Sequence, residues 1–170
     1  SNSTIAYGSV FTDIDNDDSA ITKAIQSNNN TSLVSATISG NTLTLDYQDD
    51  QYGTATITIR ATSNGKTVDD AFVVTVTAVD DGPTVANAVA DFTVLEDASD
   101  SEKDYSNVFT DIDNDDSAIT KAIQSNNNTN LVSATISGNT LTLDYVANQY
   151  GTATITVRAT SNGQTVDDAF

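Results

Sequence analysis

Apolar and polar residues alternate with a period of two along much of this chain, the pattern of an extended strand with one face inward and Thr, Ser or Asp on the other. Residues 33–39 (Leu33, Val34, Ala36 and Ile38 among Ser and Thr) and 42–47 (Leu43, Leu45 and Tyr47 among Thr and Asp) predict two strands of a hairpin. Gly40 and Asn41 form the turn between them, Gly supplying a backbone conformation that other residues avoid. Residues 54–61 alternate again, Ser63-Asn64-Gly65 predicts a turn, and residues 67–79 return with Val68, Phe72, Val74 and Val76 inward. Asp69-Asp70-Ala71 interrupts that return, which predicts a bulge or bend, solvated or cation-binding. Ala20, Ile21, Ala24 and Ile25 fall at helical spacing; one short helical turn and a strand carrying Ile21 and Ile25 both fit. Residues 85–94 predict one or two weak strands, and Val108-Phe109 the end of another.

The same pattern occurs twice. Residues 11–72 recur at 109–170, an offset of 98 residues, with differences at Ser32/Asn130, Gln48/Val146, Asp49/Ala147, Asp50/Asn148, Ile59/Val157 and Lys66/Gln164. The offset exceeds the roughly 20–50 residues of a solenoid unit and suits a small domain. About seven short strands per unit predict an all-β chain of tandem two-layer sandwiches. Pro83 would interrupt a central strand and Gly82 turns, so Asp80-Asp81-Gly82-Pro83 marks the boundary. The expected domains are 1–81, lacking its first strand because nothing corresponds to residues 83–98, and 82–170, lacking its last because nothing corresponds to residues 73–79. We therefore expect a fragment cut out of register from a longer array, with open edges that are either tolerated or paired between molecules.

Composition narrows the chemistry. There are 24 acidic residues against 6 basic ones, a net charge of −18, and 22 of the acids are Asp. Asp is short, favours turns and holds two oxygens near the backbone, which suits a hard cation such as Ca2+; a merely soluble or salt-adapted surface is the alternative. The same field opposes nucleic acid and anionic membrane surfaces as partners, so neither is expected. With no Cys, His, Met or Trp, the chain has no disulfides, thiol chemistry or imidazole bases. An enzyme would have to rely on carboxylates alone, and these are near-equivalent and duplicated, so no catalytic function is expected.

The densest acidic run is Asp13-Ile14-Asp15-Asn16-Asp17-Asp18, with its copy at Asp111, Asp113, Asp115 and Asp116. Oxygens at alternate positions can converge on one cation; a solvated loop that caps the next element through Asx turns is the other reading. The run fails the EF-hand pattern, with Asp18 in place of the sixth-position Gly. Asp80, Asp81, Glu96 and Asp97 are further candidates, and a cation joining them to the Asp111/Asp113 loop would tie successive units together. Otherwise Glu96-Asp97 only punctuates two strands.

Taken together, Glu96-Asp97, Phe109 to Asp115, Gly138-Asn139-Thr140-Leu141, Gly151 to Val157 and the closing Val79-Asp80-Asp81-Gly82-Pro83 resemble bacterial cadherin-like or immunoglobulin-like tandem repeats of large secreted or surface adhesins, including those exported by type I secretion. The resemblance spans essentially the whole chain. It implies calcium-binding sandwiches, with the pattern F-x-D-x-D-x-D falling on Phe11, Asp13, Asp15 and Asp17 and on Phe109, Asp111, Asp113 and Asp115. The acidic pair then falls on Glu96 and Asp97, and the linker acid on Asp80 or Asp81. Asn16 and Asn114 stand where the family often has Gly, and Ser63 and Ser161 where it tends to have Asp. The expected function is a calcium-stiffened extender on a bacterial cell surface or in a secreted protein, contacting neighbouring repeats and acting in cell adhesion. A module binding carbohydrate or its own kind is the alternative, suggested by open strand edges and by Tyr47, Tyr52, Tyr145 and Tyr150 beside one loop and its copy.

Overall fold

A computed structural model describes residues 2–170, which divide into two compact units with the boundary between Val79 and Asp80. Asp80 and Asp81, expected to close the first unit, group with the second because their hydrogen bonds run to Asn114, Asn162, Gln164 and Asp113.

The first unit runs through β1 (Asn2–Ala6), a 3-10 turn (Asp18–Ala20), β2 (Thr22–Asn28), β3 (Val34–Ser39), β4 (Thr42–Tyr47), β5 (Gly53–Ser63) and β6 (Lys66–Val76). Two antiparallel sheets, ordered β1-β4-β3 and β2-β5-β6, share one core. Alternation delivers Leu43 and Leu45 from β4 and Ala55, Ile57 and Ile59 from β5 into that core, while their Thr neighbours face out. Both readings of residues 19–26 hold in part: the single 3-10 turn is followed at once by β2, with Ile21 buried between them.

The bulge expected at Asp69-Asp70-Ala71 is absent. The β5–β6 ladder is continuous from Gly53↔Val76 to Ser63↔Lys66, and the shift lies instead in β2, between Ile25 and Ser27. Asp70 simply takes an inward position, where its carboxylate accepts the Tyr7 hydroxyl at 2.8 Å. With that acceptor satisfied, the strand has no reason to slip. Asp69 faces outward and receives both arms of Arg60 at 2.7 Å.

In the second unit the order is β7 (Thr84–Val85), β8 (Ser101–Asp104), β9 (Phe109–Thr110), a 3-10 turn (Asp116–Ala118), β10 (Thr120–Asn126), β11 (Val132–Ser137), β12 (Thr140–Tyr145), β13 (Ile155–Ser161) and β14 (Gln164–Ala169). The sheets are β8-β12-β11, β10-β13-β14 and the short pair β7-β9. Tyr105, Phe109, Leu141, Leu143 and Val157 fill the core, and Tyr105 lies 5.9 Å from Phe109 between ring centres. Of the weak strands expected over residues 85–94, only Thr84–Val85 forms; Val94 and Leu95 are exposed and cannot pin a strand to the core. Both units are thus predominantly antiparallel β structure in stacked sheets.

Two differences separate the near-identical copies. Phe109–Thr110 pairs with β7, whereas Phe11 and Thr12 belong to no strand. β5 begins at Gly53, but β13 begins only at Ile155, because β6 runs on to Val76 while the second unit ends its ladder at Phe170. No helix among the described residues is long and apolar enough to cross a membrane.

The separate cores make a direct prediction. Leu141 is fully buried in the second, so Leu141→Ala should cost that unit about 2–5 kcal/mol. Scanning calorimetry should show one transition lowered and the other left in place.

Candidate metal centre

Phe109 anchors the loop that follows it, being buried against Tyr105, and the chain then turns from Thr110 into the 3-10 turn at Asp116. Two of the acids build this turn. Asp115 is its N-cap, accepting the Ser117 amide at 2.8 Å, and Asp116 reaches back to accept the Asp111 amide at 2.8 Å and the Thr110 hydroxyl at 3.1 Å. Asp17 and Asp18 do the same in the first unit, accepting the Ser19 amide at 2.8 Å and the Asp13 amide at 2.7 Å. The capping reading therefore accounts for one oxygen each of Asp17 and Asp115.

Asp111 lies inside the turn. Its Oδ1 accepts the backbone amides of Asp113 and Asn114, each at 3.0 Å, and the Asn114 side-chain amide at 3.3 Å. Its Oδ2 is shielded from solvent and has no hydrogen-bond donor, and the residue as a whole is only 7% exposed. A buried carboxylate oxygen without a partner is costly, which makes it the one unexplained acceptor of the loop.

The segment that buries it carries Asp80 and Asp81. Asp80 Oδ1 accepts the side-chain amides of Asn114 at 2.9 Å and Asn162 at 3.0 Å, and Gln164 donates to the Asp80 carbonyl at 2.8 Å and to Oδ2 at 3.3 Å. The Asp81 amide donates to Asp113 Oδ2 at 2.7 Å. Gly82 permits the close pass: a Cβ there would stand 3.1 Å from Gln164 Oε1 and 3.2 Å from its Cβ.

The first unit supplies the comparison. Asp13 Oδ1 accepts the Asp15 amide, and Oδ2 is satisfied at 3.0 Å by the side-chain amide of Asn16. In the second unit the corresponding Asn114 amide is drawn to Asp80 and to Asp111 Oδ1, leaving Oδ2 bare. The orphan thus follows from Asp80.

Electrostatics agree with this crowding. The Ser161 hydroxyl, near enough to act as a donor to Asp111 although it falls short of hydrogen-bonding geometry, is the largest influence holding that carboxyl below the ordinary range, aided by the Asp113 and Asn114 donors against the opposing effect of burial. No donor closes on Oδ2 in hydrogen-bonding geometry, Ser161 included. Asn162, Asn114 and Gln164 hold the Asp80 carboxyl low in turn, against the negative charge of Asp111.

The donor set is oxygen throughout and includes a buried oxygen with nothing to accept, which fits a hard cation. Asp111, Asp80 and Asp113 would hold it. As they stand, no three carboxylates among the described residues converge on one point, because Asp80 and Asp113 are engaged by amides. Binding would exchange those amide bonds for the ion.

Glu96 and Asp97 are not brought to this group. Asp97 sits in a tight turn with φ of 61°, and its Oδ1 accepts the Asn148 amide at 2.8 Å, near the Ile155 end of β13. Asp111 lies against Ser161 at the other end of that seven-residue strand, about 20 Å away. The expectation that Glu96-Asp97 meets the Asp111 loop is corrected accordingly. In the first unit Asp13 is half-buried in the same turn, and Asp15 and Asp17 are exposed.

No protein-family model matches the chain, and no curated protein matches it. Among solved structures, human protocadherin-24 domains EC1-2 align at 15% identity over 93% of this chain and 79% of that one, with a TM-score of 0.46. Protocadherin gamma B2 extracellular cadherin domains 3-6 align at 15% identity over 88% of this chain and 42% of that one, TM-score 0.43. An endo-fucoidan hydrolase of glycoside hydrolase family 107 aligns at 16% identity over 99% of this chain, TM-score 0.38, and the chain spans 25% of that protein's length. At this level of similarity neither adhesion nor hydrolysis carries over.

Sequence reasoning missed the amide donors Asn114, Asn162 and Gln164. One signal was present: Gln164 is among the six positions at which the copies differ, replacing Lys66. Ser161, which stands where the resembled repeats tend to have Asp, lies beside Asp111.

Because the Asp80, Asp111 and Asp115 carboxyls are held below their unfolded values, each contributes stability that is present above the ordinary carboxylate pKa of about 3.9 and lost as pH falls through the folded value. Urea midpoints of the metal-free chain, in salt that screens the general repulsion, should fall as pH drops below about 4. Asp111→Asn should flatten that fall.

Proposed function

We propose that this chain is a non-catalytic module of the extracellular kind, structural and binding in role, whose second unit is stabilised by calcium at Asp111, Asp80 and Asp113. The carrying observation is Asp111 Oδ2, the one buried side-chain oxygen among the described residues without a hydrogen-bond partner. Calcium would supply the missing partner and offset the repulsion between Asp111 and Asp80. Support for a structural role comes from the near-identical copies and their separate cores. On this reading the repeats act as an extender of a bacterial surface or secreted adhesin, with Thr-rich outer faces in water.

A second reading, a module that binds protein or polysaccharide, is favoured by a different observation. A groove lined by Phe92, Leu95, Tyr145 and Tyr150 opens on the second unit, and Tyr150 is 88% exposed. Aromatic rings with one polar tip suit either ligand.

Thermal unfolding with calcium and with chelator tests the first reading. With calcium at about a hundredfold its Kd, the second unit should melt roughly 10 °C or more higher, because binding then adds about 2.7 kcal/mol. Asp111→Asn should abolish the difference. Equal midpoints with and without calcium would falsify the proposal.

A further inference from the structure

The loop joining β2 to β3 carries a pattern that neither the cation nor the core uses. Asn28, Asn29, Asn30 and Thr31 recur as Asn126, Asn127, Asn128 and Thr129, so each copy holds Asn-Asn-Thr, an acceptor pattern for sugar on a side-chain amide. Runs of Asn also build turns by bonding the backbone, so hydrogen bonding decides which of these amides are already engaged.

The fold consumes Asn28 and Asn30, both half-buried. Asn28 Nδ2 donates to the Val34 carbonyl at 2.7 Å while its Oδ1 accepts the Asn30 amide at 3.0 Å, and Asn30 Nδ2 donates to the Thr54 carbonyl at 3.2 Å. Asn29 differs. It is exposed, its Oδ1 accepts the Thr56 amide at 2.7 Å, and its Nδ2 has no acceptor among the described residues. That bond holds the side chain by its oxygen and leaves the nitrogen to a partner from outside. Thr31 is exposed in the turn that follows. The second unit repeats the arrangement, with Asn126 and Asn128 bound to the Val132 and Thr152 carbonyls at 2.7 and 3.1 Å and the Thr154 amide on Asn127 Oδ1 at 2.7 Å. Asn127 and Thr129 are again exposed.

A difference between the copies points the same way. Asn30-Thr31-Ser32 is another acceptor pattern, but Asn130 replaces Ser32 in the second unit, so Asn128 lacks it. The pattern on the engaged amide occurs once, and the pattern on the open one occurs in both. Asn2-Ser3-Thr4 also fits, but it lies within β1, its backbone in register with Asp46 to Thr44 of β4, where a transferase cannot fold it into a turn.

We propose that Asn29 and Asn127 are N-glycosylation sites, presented by the folded loop. In the transfer, Nδ2 attacks C1 of a sugar activated as a nucleotide or lipid pyrophosphate. The C1–O bond breaks, the pyrophosphate leaves with the electron pair, and one amide proton passes to a base of the transferase. The Thr31 or Thr129 hydroxyl is the group the transferase reads. The fold loses no hydrogen bond, because Oδ1 keeps its donor. The site stands apart from the acidic loop: Asn64 binds Asn16 of that loop at 2.9 Å, next to Ser63, and Thr56 lies about 23 Å back along β5. The inference therefore does not depend on the cation.

Peptide mass spectrometry of the protein from the cells that make it is the test. Trypsin yields residues 24–60 and 122–158, which differ at Ser32/Asn130 among other positions, so the two sites are read separately. Sugar is expected on Asn29 and Asn127 and on no other Asn of these loops. As a second arm, the folded 170-residue chain is offered to a soluble transferase specific for Asn-X-Thr with UDP-glucose, and to membranes holding lipid-linked sugar. One sugar per unit is expected from one of the two donors, which identifies the source. Thr31→Ala and Thr129→Ala should each remove one sugar without moving the melting temperature, whereas Asn30→Gln, which keeps the Asn29 pattern, should leave transfer intact. Bare Asn29 and Asn127 in the native protein, sugar on Asn30 in their place, transfer that survives Thr31→Ala, or transfer only to the denatured chain would each overturn the proposal.

Discussion

A buried carboxylate with one oxygen unanswered is the constraint on which the second unit turns. Asp111 is held by backbone amides through Oδ1, and those bonds fix the loop that follows β9. Once Asp80 claims the Asn114 amide, Oδ2 is left with no donor in a place that water does not reach. Polar groups in such positions are rarely left alone, since their desolvation is uncompensated. A bound hard cation, as proposed, would resolve the conflict with chemistry that the chain offers in excess.

The two copies act as controls for each other. Their sequences differ at six positions over the shared stretch, yet one loop satisfies both oxygens of its first Asp and the other does not. Around Asp111 the Asp80 to Gly82 segment and Gln164 take part in the hydrogen bonding beside residues of the repeat itself. The same logic applies at the other end of β13. Ala55, paired with Val74, is fully buried, whereas the identical Ala153 is half-buried.

Much of the fold was legible because it follows from alternation alone. The β3–β4 hairpin and β5 carry strict period-two patterns, and both hairpins have turn residues that accept positive φ, Gly40 at 56° and Asn64 at 46°. Other elements carry no such signal. The Ser101–Asp104 strand reads Ser-Glu-Lys-Asp, and pairing with β12 rather than any apolar face of its own makes it a strand. Asp70 misled for the opposite reason: a carboxylate in an inward position looks like a broken pattern until Tyr7 is placed against it. At the candidate site, spacing singled out Asp111, Asp113 and Asp115 alike and gave no means to separate capping acids from available ones. That separation depends on which amide each oxygen receives, and for Asp80 the decisive partners lie 34 and 82 residues away.

The most direct measurement is an anomalous difference map from crystals of the chain grown with calcium or soaked with a lanthanide. The account predicts a peak about 2.3–2.6 Å from Asp111 Oδ2, with Asp80 and Asp113 turned from their amide partners towards it. Ordered water or an amide donor on Oδ2, with metal absent from this loop, would contradict it.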